Sequence, residues 1–422
     1  MIIEDEEMFF IDYEDDDSKI ILYAPLRSYL ALIKKELMNL LLERNGSEER
    51  DIFLSKLKAR RIINLKKITE DIHNSVPELS LALTENCNLK CVYCHASAGD
   101  SHKLKTMPKD LVDIVIKEYF KRVPQDTGKV YIHIAGGGEP TYDFSLLKYS
   151  LDKAREYAEK KGVKHISFSL PTNGAYGDNI REYLKKNFDS VSLSFDGPDY
   201  IQNAHRPLKS GKESFDIVFE TAKYFHVNHM NYAFRTTVSA FSLPYLKAIV
   251  DFFIEHFPNV SVGFEPLIPT GRGSCSIIKK PDSTAFGDGI IEVLKYAKGK
   301  PIKISNSASC EFGNIRPIFC SSVGIPNWTV GVDGGIYCCA RDGAPDVFHF
   351  GRFDFINHTV ELDNDKIERI RNMNVLHYEE CTNCFCKYHC AGDCPDRRLA
   401  HKSDCNAIRK IGQHVLSNKI SS

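Results

Sequence analysis

Three thiols at Cys87, Cys91 and Cys94, in the order C-x3-C-x2-C, are the residues of this chain best suited to chemistry. Thiolates are soft ligands, and thiols separated by short gaps in a reducing compartment point to metal ligation rather than to disulfides. Three of them can hold three irons of a four-iron cubane and leave the fourth iron open to a small chelating molecule. Zinc is the competing reading. It needs a fourth ligand nearby, and His95 is available. A second set follows at Cys320, Cys339, Cys381, Cys384, Cys390, Cys394 and Cys405. Seven thiols exceed one cubane and suit two. A zinc site closed by Cys381, Cys384, Cys390 and Cys405 would leave Cys320, Cys339 and Cys394 unexplained. Of the 14 cysteines, Cys275 fits the role of a single core thiol, whereas the six between 381 and 405 do not.

The elements that must position these residues are legible between 79 and 270. Strand patterns occur at 79–84, 129–134, 163–170, 190–195, 234–240 and 260–265, with helical patterns at 110–120, 146–160, 179–187, 212–225 and 243–256. The alternation predicts an α/β fold: a parallel sheet covered by helices, either an incomplete barrel or an open sheet. Both bind ligands at the C-terminal ends of their strands. The first three thiols follow the first strand there. GGGEP (136–140) follows the second, PTNG (171–174) the third and DGP (196–198) the fourth. Glycines let the backbone approach a ligand, and a carboxylate such as Glu139 is a strong partner for an ammonium group.

Around this core we expect three domains, at 1–75, 76–300 and 301–422. The first carries a hairpin (MFFIDY and KIILYAPL), a third strand or helix start at SYLALI, and helical spacing through KKELMNLLLE and EERDIFLSKLKARRI. That order is winged-helix-like. Its cations Lys56, Lys58, Arg60 and Arg61 form a solvated face or a binding surface. Beyond 300, apolar residues thin out and Cys, Gly and Asp accumulate, so metal centres are expected to organise the chain. With 55 Lys and Arg against 56 Asp and Glu, nothing calls for a nucleic acid or an anionic membrane. The acidic start lacks a secretory signal and no apolar run spans a bilayer, so a cytoplasmic location is expected.

CNLKCVYC resembles the signature of the radical S-adenosylmethionine (SAM) superfamily, and the resemblance extends over about 78–270. It implies a partial (β/α)6 barrel with a [4Fe–4S] cluster on Cys87, Cys91 and Cys94. Tyr93 takes the aromatic position, and Gly137, Gly138 and Glu139 receive the methionine amino group. Asn173, Ser194 and Arg206 lie near the ligand, with Arg206 facing the methionine carboxylate. A one-electron donor such as flavodoxin or ferredoxin would reduce the cluster, which cleaves SAM to methionine and a 5′-deoxyadenosyl radical. Plain strand-end turns are the alternative for the softer motifs.

Residues 310–410 resemble the SPASM auxiliary-cluster domain. That likeness implies three [4Fe–4S] clusters in all. Cys381, Cys384, Cys390 and Cys405 would hold the outer auxiliary cluster, and Cys320, Cys339 and Cys394 the inner one. Cys310 is the candidate fourth inner ligand, with Cys338 and Cys386 also near in sequence. Enzymes of this kind act on peptides and proteins, and the first 75 residues resemble a leader-recognition domain, so a precursor peptide is the expected partner. An acidic leader would suit the basic residues of 56–67. Sulfatase-activating relatives carry Asp directly after the cysteine answering to Cys339; here Ala340 stands there and Asp342 lies two further on. Formylglycine formation, a small-metabolite substrate, and an iron–sulfur or zinc scaffold without activity are the alternatives. Asp196, Glu265 and Asp342 are acid or base candidates at strand ends, with Arg235 also near the mouth. His102 and His389 read as solvated or packed.

Overall fold

The computed structural model describes residues 2–3, 7–43, 47–100, 105–306, 312–339, 346–354, 357–401 and 405–421. Cys310, Ala340, Asp342 and His102 lie outside them. The chain forms two compact units. One comprises Met1–Ser75, Ala308–Gly324 and Arg371–Ser422; the other comprises Val76–Ser307 and Ile325–Ile370.

In the first unit, β1 (Ile2–Ile3), β2 (Met8–Asp12), β3 (Lys19–Ala24) and β4 (Tyr29–Lys34) form an antiparallel sheet in that order. SYLALI is therefore a third long strand. Both faces of β2 and β3 are covered, which explains their unbroken apolar runs. Phe9, Ile11, Ile21 and Tyr23 pack on Phe312, Cys386, Cys390, Ile408 and Leu416. Met8, Phe10, Ile20 and Leu22 pack on Met38, Leu41, Leu54 and Leu57. The N-terminal sheet thus shares one core with the cysteine-rich C-terminal segments. Helix Glu48–Lys58 starts on the Ser47 side chain, which accepts from Arg50 N, and runs from Glu48, Glu49 and Asp51 to Lys56 and Lys58. This charge order complements the helix dipole. Arg60 is tied down: its guanidinium donates to Arg27 O and Ser28 O and lies over the Tyr29 ring.

The second unit holds an 11-stranded sheet. Its strands are β5 (Leu79–Leu81), β6 (Lys129–His133), β7 (His165–Thr172), β8 (Ser190–Ser194), β9 (Tyr232–Val238), β10 (Val260–Pro266), β11 (Ile302–Ser305), β12 (Trp328–Val330), β13 (Gly335–Tyr337), β14 (His349–Asp354) and β15 (Thr359–Leu362). From β5 to β11 the strands are parallel and lie in sequence order. Strands added always on the same side, through right-handed crossovers, keep every helix on one face, which is the winding of a partial barrel rather than of a doubly wound sheet. β11 adds a parallel strand that the sequence pattern did not offer. On the other edge β12 pairs parallel with β5, and β13, β14 and β15 follow antiparallel.

Alternation separates the two faces. Val130, Ile132, Phe168, Leu170, Val191, Leu193, Phe234, Val262 and Phe264 are buried beneath the helices. On the opposite face stand Ser80, His133, Ser167, Ser169, Ser192, Ser194, Arg235, Thr237 and Glu265, all at least partly exposed. The barrel therefore presents a polar inner surface.

Candidate functional site

Cys87, Cys91 and Cys94 lie on the loop that leaves β5, and three clamps fix its backbone. The 205–208 segment runs beside it: Lys90 N donates to Pro207 O (2.8 Å) and Val92 N to His205 O (2.9 Å). Gly138 packs so tightly beneath it that an added Cβ would sit 2.1 Å from Asn86 O, and Glu139 N donates to Asn86 O at 2.8 Å. Arg272, just past the end of β10, is the third clamp. Its guanidinium donates to Cys91 O (2.8 Å), Ala98 O (2.7 Å) and the Asp100 carboxylate (2.7 Å), and its own N–H donates to Cys94 O (2.9 Å). Gly271, at φ +54, lies so close that a Cβ there would meet His95 O at 2.5 Å. Sequence reasoning missed Arg272. The signal was an arginine between two glycines at a strand end.

Donors also point at the sulfurs. Leu89 N and Ala98 N approach Cys87 Sγ and Cys94 Sγ at 3.4 Å each, and Asn173 Nδ2 approaches Cys87 Sγ at 3.7 Å. Such N–H···S contacts stabilise sulfur that carries negative charge. Burial pushes the Cys87 thiol up to about 12, helped by the charges of Cys91 and Glu139. Burial likewise lifts Cys91 to about 11, although Arg206 and Arg272 oppose it. The fit to a bound cluster therefore rests on the spacing of the three thiols and on the N–H donors and guanidiniums gathered round them, which offset the cost of holding sulfur charge in this pocket. Among the described residues, no group of three or more His, Cys, Asp or Glu is drawn together to hold a single metal ion.

Glu139, Thr172 and Asn173 make a second layer. The buried Glu139 carboxylate accepts from Thr141 N (3.2 Å), Thr141 Oγ1 and Thr172 Oγ1 (2.8 Å each) and Asn173 N (2.8 Å). Burial nonetheless raises its pKa above the usual carboxylate value. Asn173 Nδ2 also reaches Asn88 Oδ1 at 2.8 Å, linking this layer to the thiol loop. Gly137 stays open, since a Cβ there would meet only Glu85 Cγ at 3.7 Å.

Tyr93 and Arg206 meet in a third group, around Asp196. The fully buried Asp196 carboxylate accepts from Tyr93 Oη, His205 Nδ1 (2.9 Å), Arg206 Nε (3.0 Å) and Nη2 (3.2 Å), and Thr237 N (2.8 Å). The Arg206 guanidinium also lies 5.1 Å above the Tyr93 ring. Burial alone would raise the pKa of Asp196, but the Arg206 charge and the His205 hydrogen bond hold it well below the usual range. A carboxylate so fully engaged is a poor proton acceptor. Ser194 ends β8 in register with Arg235 of β9, and Glu265 of β10 stands beside Thr237.

The described cysteines are free thiols, and Cys275 is exposed, not the buried core thiol that its isolation in the sequence suggested. In the first unit, Cys320 is raised chiefly by burial, with Cys394 near enough to add to it. Cys381, Cys384 and Cys405 also lie near one another, and Arg398 Nη2 approaches Cys381 Sγ at 3.3 Å. Cys384 is held down to about 6, first by the Cys386 hydrogen bond and then, against burial, by Arg409. Cys386 thus supports a neighbouring sulfur. Cys390 and His389 are buried in the same unit, the latter bonded to Tyr23. Cys339 follows β13 in the second unit.

One result should follow from the clamps. Arg272→Ala removes three side-chain hydrogen bonds from a charged group, a loss of roughly 2–4 kcal/mol to local order. Iron retained on the first thiol set after gel filtration should fall by at least about half, whereas unchanged iron would deny Arg272 this role.

Residues 81–245 match the Radical SAM superfamily. The chain is 23% identical over 366 residues to a cysteine-type anaerobic sulfatase-maturating enzyme of Clostridium perfringens, covering 79% of this chain and 92% of that one. It is 23% identical to a serine-type anaerobic sulfatase-maturating enzyme of Bacteroides thetaiotaomicron, covering 78% and 86%. Among solved structures, native anSMEcpe with bound AdoMet and Cp18Cys peptide superposes with a TM-score of 0.56 at 20% identity, over 81% of this chain and 94% of that one. Streptococcus suis SuiB bound to S-adenosylmethionine gives 0.54 at 17% identity, over 96% and 97%. SuiB bound to precursor peptide SuiA gives 0.53 at 17% identity, over 94% and 96%. No helix among the described residues is long and apolar enough to cross a membrane.

Proposed function

We propose that this chain, which carries a radical SAM domain at residues 81–245, is a cytoplasmic peptide maturase that joins two substrate atoms oxidatively. The reading rests on the three-thiol loop at the mouth of a barrel whose inner face is polar. Bound there, a cluster and SAM would supply the 5′-deoxyadenosyl radical chemistry by which a hydrogen atom leaves the substrate. The chain's own residues orient and shield. Cys87, Cys91 and Cys94 would hold the cluster under N–H donors. Gly137, Gly138 and Glu139 shape the shelf for the methionine end, and the Asp196 group sets Tyr93 and Arg206 beside it. Auxiliary clusters on the downstream thiols would accept the electron that a net oxidation releases.

Two observations support a peptide substrate. The outer edge of β4 pairs with no strand among the described residues, so an extended leader could add there. Lys56, Lys58 and Arg61 are exposed in the same unit, ready for an acidic leader. The fold neighbours that carry peptides lend support by analogy of fold alone. Because residues 1–75 share a core with the C-terminal segments, removing them would strip that core, and point changes are the cleaner probe. The triple change of Lys56, Lys58 and Arg61 to Glu should weaken leader binding at least tenfold at low salt, read by fluorescence anisotropy. Equal affinity would dismiss these cations as a docking face.

The function itself is tested by anaerobic incubation of reconstituted enzyme with SAM, dithionite and a candidate precursor peptide, read by mass. A loss of two hydrogens is expected. Conversion of a cysteine or serine side chain to an aldehyde would instead establish the sulfatase-type reaction, which the curated relatives favour and Ala340 disfavours.

A further inference from the structure

The polar inner face of the barrel carries one hydrogen-bonded chain that the site above does not use. Ser80, His133 and Ser169 share one row across β5, β6 and β7. The Ser169 hydroxyl meets His133 Nδ1, and His133 Nε2 lies 3.2 Å from Glu78 Oε2. Glu78 is anchored from behind: its Oε2 accepts from Asn327 Nδ2 (2.9 Å), and its N–H donates to Asn327 Oδ1 (2.9 Å). The neighbouring positions Ile132 and Phe168 face the helices and are buried, whereas about a third of the His133 side chain (33%) and a quarter of Glu78 (25%) stay exposed. The chain therefore opens onto the barrel interior. It also lies close to the chemistry. His133 is three residues before Gly136, and Ser169 three before Thr172, which bonds Glu139. At a strand rise of about 3.3 Å per residue, the row sits roughly 10 Å below the Glu139 shelf.

This geometry orders the protons. An ionised Glu78 accepts a hydrogen bond from His133 Nε2–H. That leaves Nδ1 as the acceptor and turns the Ser169 hydroxyl toward it. The order is that of a base oriented by a carboxylate behind it and fed through a hydroxyl in front. We propose that Ser169, His133 and Glu78 form the proton relay of this enzyme, taking the proton that the substrate releases when its new bond closes.

The step balances. The substrate C–H bond breaks, and its hydrogen atom ends on the deoxyadenosyl carbon. The partner group in the substrate loses a hydrogen as a proton, through Ser169 Oγ to His133 Nδ1. The remaining electron would need a one-electron acceptor, an oxidised iron–sulfur cluster, as the two substrate atoms join. The inference rests on the oxidative reading above. Wild-type product tests that reading, while the ratio of variant to wild type tests the relay, so the two fail separately.

His133→Gln is the informative variant, because glutamine keeps a donor for Glu78 and an acceptor for Ser169 but takes up no proton. In full-length holoenzyme, oxidised peptide formed per 5′-deoxyadenosine should fall on the order of a hundredfold in His133→Gln and His133→Ala. Added imidazole should restore His133→Ala in part, and Ser169→Ala should lose less. A wild-type ratio in His133→Gln would overturn the relay. So would a fall accompanied by lost iron or lost peptide affinity, which would make the network structural, or a failure of imidazole to rescue.

Discussion

In the Cys91→Ala protein, reductive cleavage of SAM falls to the background of cluster-free protein, a loss of at least about a thousandfold, or roughly 4 kcal/mol in barrel-mouth chemistry. The backbone of Cys91 is held independently of its thiol, through the Arg272 bond to its carbonyl, so the loop keeps its course when the side chain is removed. What disappears is one of three thiolates. The other two cannot hold a cubane with a single open iron. Iron and sulfide should drop on this site while the downstream thiols keep theirs. Cys91→Ser should fall nearly as far, because a buried hydroxyl ionises less readily than a thiol. Deoxyadenosine formation at wild-type rate in Cys91→Ala would remove the basis of the proposed function.

The sequence made the barrel legible because its signals are local. SVSLSF and VSVGFE alternate with period two, and β8 and β10 lie on them at Ser190–Ser194 and Val260–Pro266. IKIS gave no such contrast: it is short, has one apolar residue on each side of a lysine and lies after the expected end of the core, yet it forms β11. Cys87, Cys91, Cys94 and the GGGEP segment were readable as a site because each follows a strand. Their support was not. Asp196 reads as a lone acid beside a turn, and only the folded chain brings Tyr93, His205, Arg206 and Thr237 onto it from three separate stretches. Glu78, His133 and Ser169 likewise lie 55 and 36 residues apart in the chain and meet only through strand register. The sharing of one core between residues 1–75 and the segments after 311 follows from long-range packing, which no local periodicity encodes.

Asp196→Asn should be the most destabilising single polar change in the barrel. The carboxylate faces a guanidinium that is itself buried, and an amide would leave Arg206 without its counter-charge in a site of low polarity. Breaking a buried pair from one side costs about 3–5 kcal/mol, because the surviving charge stays desolvated. The pH dependence gives a second signature. The folded pKa of Asp196 is depressed, so its contribution is fully present above the unfolded value of about 3.9 and is lost as pH falls through the folded one. The stability gap between wild type and Asp196→Asn, measured by urea unfolding, should therefore be widest near neutrality and narrow below pH about 4. Adding Arg206→Met should recover much of the loss, since it removes the stranded charge at similar volume. Iron retention should track the single variant and not only its stability. His205 and Pro207, which flank Arg206, hold Val92 and Lys90 of the thiol loop through their carbonyls, so a displaced Arg206 moves the clamp on the cluster ligands. A gap that stays constant with pH would show that the damage comes from packing rather than from the buried charge pair.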